Sequence, residues 1–287
     1  MRSQSDYDKL YFKKVGGRKG DHCFYPTRLD TYGCGCAHDC KYCYAKTLLD
    51  FRKNWDPKNP KVADVKRIEK HLDSLVEEGF TGKAIRLGGM TDCFQPVERV
   101  FGVTLKTIKL LNERKIHYLI VTKSDLVASD TYINAMDKGL AHIQISLTCT
   151  DDDLYKLLDY EKAPLPSKRI AAIEKLQAKG FDVQVRLSPF IPEFIDYDVL
   201  NSIKCDKILV EFLRVNAWVR KWFDISYSPY CVTQGAYEHL PLHKKIELLK
   251  NITGFKRVTV CDSEDKAYKY WKHHFNPNPY DCCDLRL

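Results

Sequence analysis

The chain has 287 residues, of which 44% are hydrophobic, 29% charged and 12% aromatic, with 14 Gly and 12 Pro. This excludes disordered, collagen-like and low-complexity chains, and the length gives one large domain with room for an appendage. Lys and Arg outnumber Asp and Glu by 46 to 38, and the resulting +8 favours an anionic partner such as nucleic acid.

No run approaches the roughly 20 apolar residues that span a bilayer, and Met1 to Asp8 lacks the apolar core of a signal peptide. The expectation is a soluble cytoplasmic protein. In such a chain twelve cysteines point to a metal or redox site rather than to a disulfide framework.

In chain order, residues 1–27 read as a basic N-terminal arm, with Lys13, Lys14, Arg18 and Lys19 set among glycines. A first strand is expected around Leu29 to Gly33. Apolar runs of strand length follow at Ala84 to Leu87, Ile116 to Thr122, His142 to Leu147, Val183 to Leu187 and Lys207 to Glu211. Between most of them, at Val62 to Val76, Val103 to Leu111 and Ile170 to Leu176, apolar residues recur at helical spacing and each pattern ends near a glycine. Alternating strands and helices imply a parallel sheet built by right-handed crossovers, and six units are too few to close an eight-stranded barrel. The expected fold is α/β, a partial (β/α)6 barrel over residues 28–215.

From Asn216 the rhythm changes, and residues 216–287 read as an α+β C-terminal extension packed on the barrel. It is expected to hold a helix from Leu242 to Ile252, a short strand from Arg257 to Val260 and a helix from Glu264 to Phe275. Its aromatics alternate with cations around Trp218 to Trp222 and Tyr268 to His274. On a solvated or core helix that pattern is ordinary, and on a binding face it suits stacked bases beside phosphates.

The segment with the most chemical information follows the first strand: Gly35-Cys36-Ala37-His38-Asp39-Cys40-Lys41-Tyr42-Cys43-Tyr44-Ala45. The CxxxCxxC spacing lets one compact loop offer three thiolates to a metal-sulfur centre, leaving one position open to another ligand. A zinc knuckle completed by Cys34, His38 or a distant cysteine is the alternative, although paired CxxC or His-x-His elements are missing.

These residues, with an aromatic just before the third cysteine, resemble the signature loop of the radical S-adenosylmethionine (SAM) superfamily. The flanking residues resemble its spore photoproduct lyase-like branch, also described as DNA repair photolyase-like, and the similarity runs from Tyr32 to Pro192. The resemblance implies a partial barrel carrying a [4Fe-4S] cluster on Cys36, Cys40 and Cys43, with the amino and carboxylate groups of SAM on the open iron. It also implies reductive cleavage of SAM to methionine and a 5′-deoxyadenosyl radical that abstracts hydrogen, fed by a low-potential donor such as ferredoxin or flavodoxin.

The expected SAM contacts lie at successive strand ends. Gly88 and Gly89 allow close approach of backbone to a ligand, and by resemblance they face the SAM amino group. Thr91 and Asp92 resemble a Thr/Ser-Asp pair of the lyase branch, with Asp92 open to the alternative role of helix N-cap. Lys123 ends an apolar strand and by resemblance reaches a SAM carboxylate or ribose hydroxyl, where the alternative is a lysine extending to solvent. Ser146, Arg169 and Arg186 match family positions near SAM, and either arginine can instead serve a structural ion pair.

In spore photoproduct lyase a cysteine, assisted by a tyrosine of the cluster loop, supplies a hydrogen atom. Tyr42 and Tyr44 match the tyrosine, but Gly89 occupies the register of that cysteine; Cys93, the candidate donor, follows the Thr-Asp pair and Cys149 sits just beyond the fourth strand, which leaves the donor and the photoproduct reaction in doubt. The other cysteines show no spacing for a second cluster and read mostly as small buried hydrophobes. Three functions follow as expectations: a radical SAM enzyme acting on DNA or RNA, a radical SAM enzyme for a peptide or small metabolite, and a non-enzymatic metal-stabilised binding module.

Overall fold

The computed structural model describes Gln4, Asp8, residues 11–14, Tyr25, and residues 27–48, 54–80, 82–285 and 287. Most of the expected basic arm, including residues 15–24 with Cys23, lies outside the described residues. The strands are β1 (Phe12–Lys14), β2 (Thr27–Leu29), β3 (Tyr32–Gly33), β4 (Lys61–Val62), β5 (Ala84–Leu87), β6 (His117–Thr122), β7 (Ala141–Leu147), β8 (Asp182–Phe190), β9 (Lys207–Phe212), β10 (Val232–Gln234), β11 (Tyr237–His239) and β12 (Arg257–Val260).

An eight-stranded sheet in the order β1-β2-β5-β6-β7-β8-β9-β12 forms the centre. Every pairing from β2 to β12 is parallel, and only the edge strand β1 runs antiparallel. This is the expected α/β architecture, a mostly parallel sheet consistent with a partial barrel. All seven residues of β7 are buried, as a parallel strand covered on both faces requires. The helix Val65–Glu77 starts at Asp64, whose side chain accepts from the backbone N–H of Lys66, and it turns Ile68 and Leu72 inward. Complete burial of these two side chains contributes about 1.5–3 kcal/mol each.

One sequence expectation needs correction, and another gains a partner. The first strand is split, because the Asp30 carboxylate accepts from the backbone N–H groups of Met90 (2.7 Å) and Thr91 (3.2 Å) and draws the chain out of the sheet. Tyr32–Gly33 then pairs antiparallel with β4. The short strand forms over Arg257–Val260 as expected, and it pairs with β9 of the main sheet, covering what would be a bare strand edge.

The strand order brings the loop after β3, the turn after β5, Lys123 after β6, Ser146 in β7 and Arg214 after β9 to one rim, the C-terminal end where parallel barrels assemble their sites. On the inner face, Cys283 of the C-terminal tail packs with Tyr25, Leu119, Val121 and Leu209. Among the described residues no helix is long and apolar enough to cross a membrane.

Candidate active site

The loop between β3 and the short helical turn Tyr44–Thr47 is fastened at several points. Lys41 N–H donates to Tyr160 O (2.8 Å), Lys162 N–H to His38 O (2.6 Å) and Ala37 N–H to Gln95 Oε1 (3.0 Å). At its start only glycine fits, since a Cβ on Gly35 would lie 1.9 Å from Asp56 O. The result is that Cys36, Cys40 and Cys43 all line one cavity of about 200 Å³ at the rim.

Burial, reinforced by the Asp92 carboxylate, pushes the Cys36 thiol up to about 12. Burial and then Glu161 raise Cys40 well above the usual range, and burial raises Cys43. Thiols held neutral in this way become thiolates when a cation replaces the proton. The donor set suits a cubane, which takes its thiolates on separate irons, so that the ligands ring a volume. Among the described residues no three His, Cys, Asp or Glu side chains gather as ligands of a single ion do. Of the fourth ligands considered for zinc, Cys34 does not line the cavity and His38 Nε2 lies 3.2 Å from Asp92 Oδ2.

Gly88 and Gly89 form the adjoining wall. Gly88 has φ +79°, and a Cβ there would lie 2.7 Å from Val121 O. Gly88→Ala is therefore expected to lower stability by about 1–3 kcal/mol through left-handed backbone strain and the clash. Urea unfolding checks this, and an unchanged midpoint would contradict it.

Thr91 donates its hydroxyl to Tyr32 O. Asp92 accepts from Phe94 N–H (2.8 Å), the Thr122 hydroxyl (2.7 Å) and Lys123 N–H (2.6 Å), besides facing His38. Burial alone would raise the Asp92 carboxyl, but His38 and these donors outweigh it and hold the group below the usual range. The pair thus ties the cysteine loop to the ends of β5 and β6.

Lys123 enters the cavity wall with Nζ 3.3 Å from Glu161 Oε2 and 5.3 Å from the centre of the Tyr42 ring. Glu161, which the sequence reading missed, accepts from Tyr42 OH and from Arg169 NH2 (2.5 Å). Desolvation would raise its carboxyl, yet Arg169 first and Lys123 second hold it far below the carboxylate range. Nothing local marks this residue, because a glutamate in the polar run Asp159-Tyr160-Glu161-Lys162 reads as solvated.

Two expected site residues do not line the cavity. Arg169 is fully buried behind it, bonded to Ser146 O, Pro164 O, Tyr155 OH and Glu161, so its charge is consumed structurally. Cys93 is 1% exposed and packed in the core, its thiol raised by burial and then by Asp92 and Glu98. Ser146, Arg186 and both tyrosines do line it. Tyr44 OH donates to Gly89 O (3.3 Å), whereas Tyr42 OH is committed to Glu161. Glu211, a second residue missed from sequence, binds Arg186 at 2.5 Å, and against desolvation Arg186 and Arg214 lower its carboxyl to about 2.

Of the two aromatic-cation segments, Trp271 of the second is core, 1% exposed, with Nε1 donating to Asp262 Oδ2 (3.1 Å). Trp222 of the first is half-buried beside the cysteine loop in a hollow that Lys41, Lys46 and Lys162 share with Asp39, Asp159 and Glu161. Lys46 Nζ lies 5.8 Å from the Trp222 ring centre.

The family model of the radical SAM superfamily matches residues 31–204, a span that includes the cysteine loop and every strand end from β5 to β8. An uncharacterized protein of Methanocaldococcus jannaschii is 29% identical over 248 residues, covering 82% of this chain and 86% of the relative. Spore photoproduct lyase complexed with dinucleoside spore photoproduct superposes with a TM-score of 0.63 at 13% identity, over 86% of this chain and 80% of that one. Streptococcus suis SuiB bound to S-adenosylmethionine gives 0.56 at 14% identity, over 88% of this chain and 54% of that one. These two solved structures share the fold.

Proposed function

The chain belongs to the radical SAM superfamily, and from that premise we propose that Cys36, Cys40 and Cys43 hold a [4Fe-4S] cluster beside SAM and that this radical SAM enzyme acts on nucleic acid. The observation that carries the reading is that the three loop cysteines, Gly88-Gly89 and Lys123 line one cavity. When bound, the cluster and SAM supply one-electron cleavage of a carbon–sulfur bond and hydrogen-atom abstraction from substrate.

The protein's own groups bind and orient. Gly88 and Gly89 let backbone meet the ligand without a side chain between them, while Lys123, Ser146 and Arg186 present donors to its carboxylate and hydroxyl oxygens. Thr91 and Asp92 act indirectly, holding the loop against the strand ends. Tyr44 stands at the cavity beside Gly89 and is the hydroxyl available to substrate, while Tyr42 positions the loop through Glu161. A low-potential protein such as ferredoxin or flavodoxin supplies the electron.

Nucleic acid is favoured by the +8 charge and by Lys41 and Lys162 beside Trp222 next to the loop, Lys46 there being paired with Asp39. The dinucleoside photoproduct held by the structurally similar lyase supports the same class. The photoproduct reaction itself is not proposed, since glycine stands in the register of the donor cysteine and Cys93 is outside the cavity.

A single-stranded oligonucleotide is expected to bind with a log–log salt slope of about −0.7 for each phosphate neutralised, and to stimulate formation of 5′-deoxyadenosine by the reduced enzyme. Turnover indifferent to oligonucleotide, with no salt-sensitive binding, would contradict the nucleic-acid reading and favour a peptide or small metabolite.

A further inference from the structure

The first cavity shares part of its wall with a second. Arg86, Arg186, Glu211 and Arg214 line both, and the second, of about 360 Å³, is bounded by the C-terminal extension through Tyr268, Lys272 and Tyr280. The shared wall therefore carries three guanidiniums and one carboxylate. Glu211 Oε2 accepts from Arg186 (2.5 Å) and Ser188 (2.9 Å), and its Oε1 lies 3.8 Å from Arg214.

Arg86 is the group this arrangement leaves without a counter-charge. Its NH1 donates to Tyr25 OH (2.7 Å), its guanidinium lies 5.4 Å from the Tyr25 ring centre, and its Nε is buried with no hydrogen-bond partner. Among the described residues no carboxylate pairs with it, Glu211 being engaged by Arg186 and Arg214. Arg86 is only partly exposed and Arg214 shares the one carboxylate with Arg186, so the wall carries two positive charges more than it balances, which an anionic ligand would offset. The same field reaches Cys283, whose thiol is drawn below its ordinary value by Cys282 and then, against burial, by Arg186 and Arg86. Even a Cys283 thiolate would leave one positive charge unmatched.

We propose that Arg86, with Arg214, binds a phosphate group of the substrate at the junction of the two cavities. The planar fork of arginine matches phosphate oxygens in pairs, and two unmatched charges suit a phosphate dianion better than a single carboxylate. The attached organic part has aromatic company on either side. Arg214 lies over Tyr44 (5.1 Å) in the first cavity, and Lys272 over Tyr280 (4.7 Å) in the second, a setting in which a base stacks. The inference deepens the proposed function and rests on it for calling the ligand a substrate, whereas the anion site stands on the arginines alone.

Calorimetric titration of the cluster-loaded protein at constant ionic strength, with inorganic phosphate, acetate and SAM as separate ligands, tests it. Phosphate is expected to bind one saturable site, at least tenfold more weakly in Arg86→Gln and several-fold more weakly in Arg86→Lys, where the charge stays but the fork is lost. It should bind more tightly in Glu211→Gln, while SAM affinity in both Arg86 variants stays within twofold of the parent. Phosphate binding indifferent to both Arg86 substitutions would overturn the proposal, and acetate binding as tightly as phosphate would overturn the assignment to phosphate. Parallel loss of SAM affinity would overturn it by giving Arg86 to SAM. Arg86→Lys keeps the test readable where Arg86→Gln fails to fold, and phosphate binding remains measurable even where SAM is not cleaved, so the two readings fail separately.

Discussion

Glu161→Ala is expected to destabilise the chain by about 3–5 kcal/mol, because removing one member of a buried ion pair leaves the other charge uncompensated. Arg169 is fully buried and 2.5 Å from Glu161, and Lys123 stands 3.3 Å from the same carboxylate. Tyr42 loses its acceptor in the variant too, so the cysteine loop loosens along with the core. Urea denaturation measures the loss, and a change under about 1 kcal/mol, the scale of an exposed pair, would contradict it.

The pH dependence has a definite sign. Because Glu161 is held below its unfolded value in the native state, its contribution is present above the ordinary carboxylate range and is lost as pH falls through the lower, native value. The stability gap between the parent protein and Glu161→Gln is therefore expected to be constant near neutrality and to narrow below about pH 4. A gap that widens in acid would mean that the carboxyl is protonated in the folded chain.

The second large effect falls on the metal. Cys40→Ala is expected to abolish iron and sulfide incorporation and to bring 5′-deoxyadenosine formation to the level without enzyme, since a loop offering two thiolates cannot hold a cluster that needs three. Cys34→Ala and Cys93→Ala, at buried positions outside the cavity, are expected to keep their iron. Iron counted per chain separates the three variants, and full iron in Cys40→Ala would remove this cysteine from the ligand set.

The cysteine loop is legible in sequence because the three cysteines proposed as ligands lie within eight residues and their spacing is local. The strand ends are legible for a related reason: an apolar run that stops at a lysine or a glycine pair marks both the strand and its rim, as at Lys123 and at Gly88-Gly89. What escapes is pairing across the chain. Arg169 sits at a family-like position but is spent on Glu161, a partner that only the fold brings to it. Glu211 and Arg214 look like ordinary residues at the end of β9 until β8 supplies Arg186. The edge pairing of β12 and the break at Asp30 are invisible for the same reason, since each depends on a neighbour far away in sequence. Cys93 misleads in the opposite way, being one residue from Asp92 yet buried in the core.

The central claim is that the rim cavity holds a SAM-binding iron–sulfur cluster, and electron paramagnetic resonance on anaerobically reconstituted, dithionite-reduced protein with and without SAM tests it most directly. The account predicts a reduced [4Fe-4S] signal that changes on adding SAM, together with formation of 5′-deoxyadenosine. Zinc in place of iron, or a cluster signal indifferent to SAM with no 5′-deoxyadenosine, would contradict it and return the loop to a structural role.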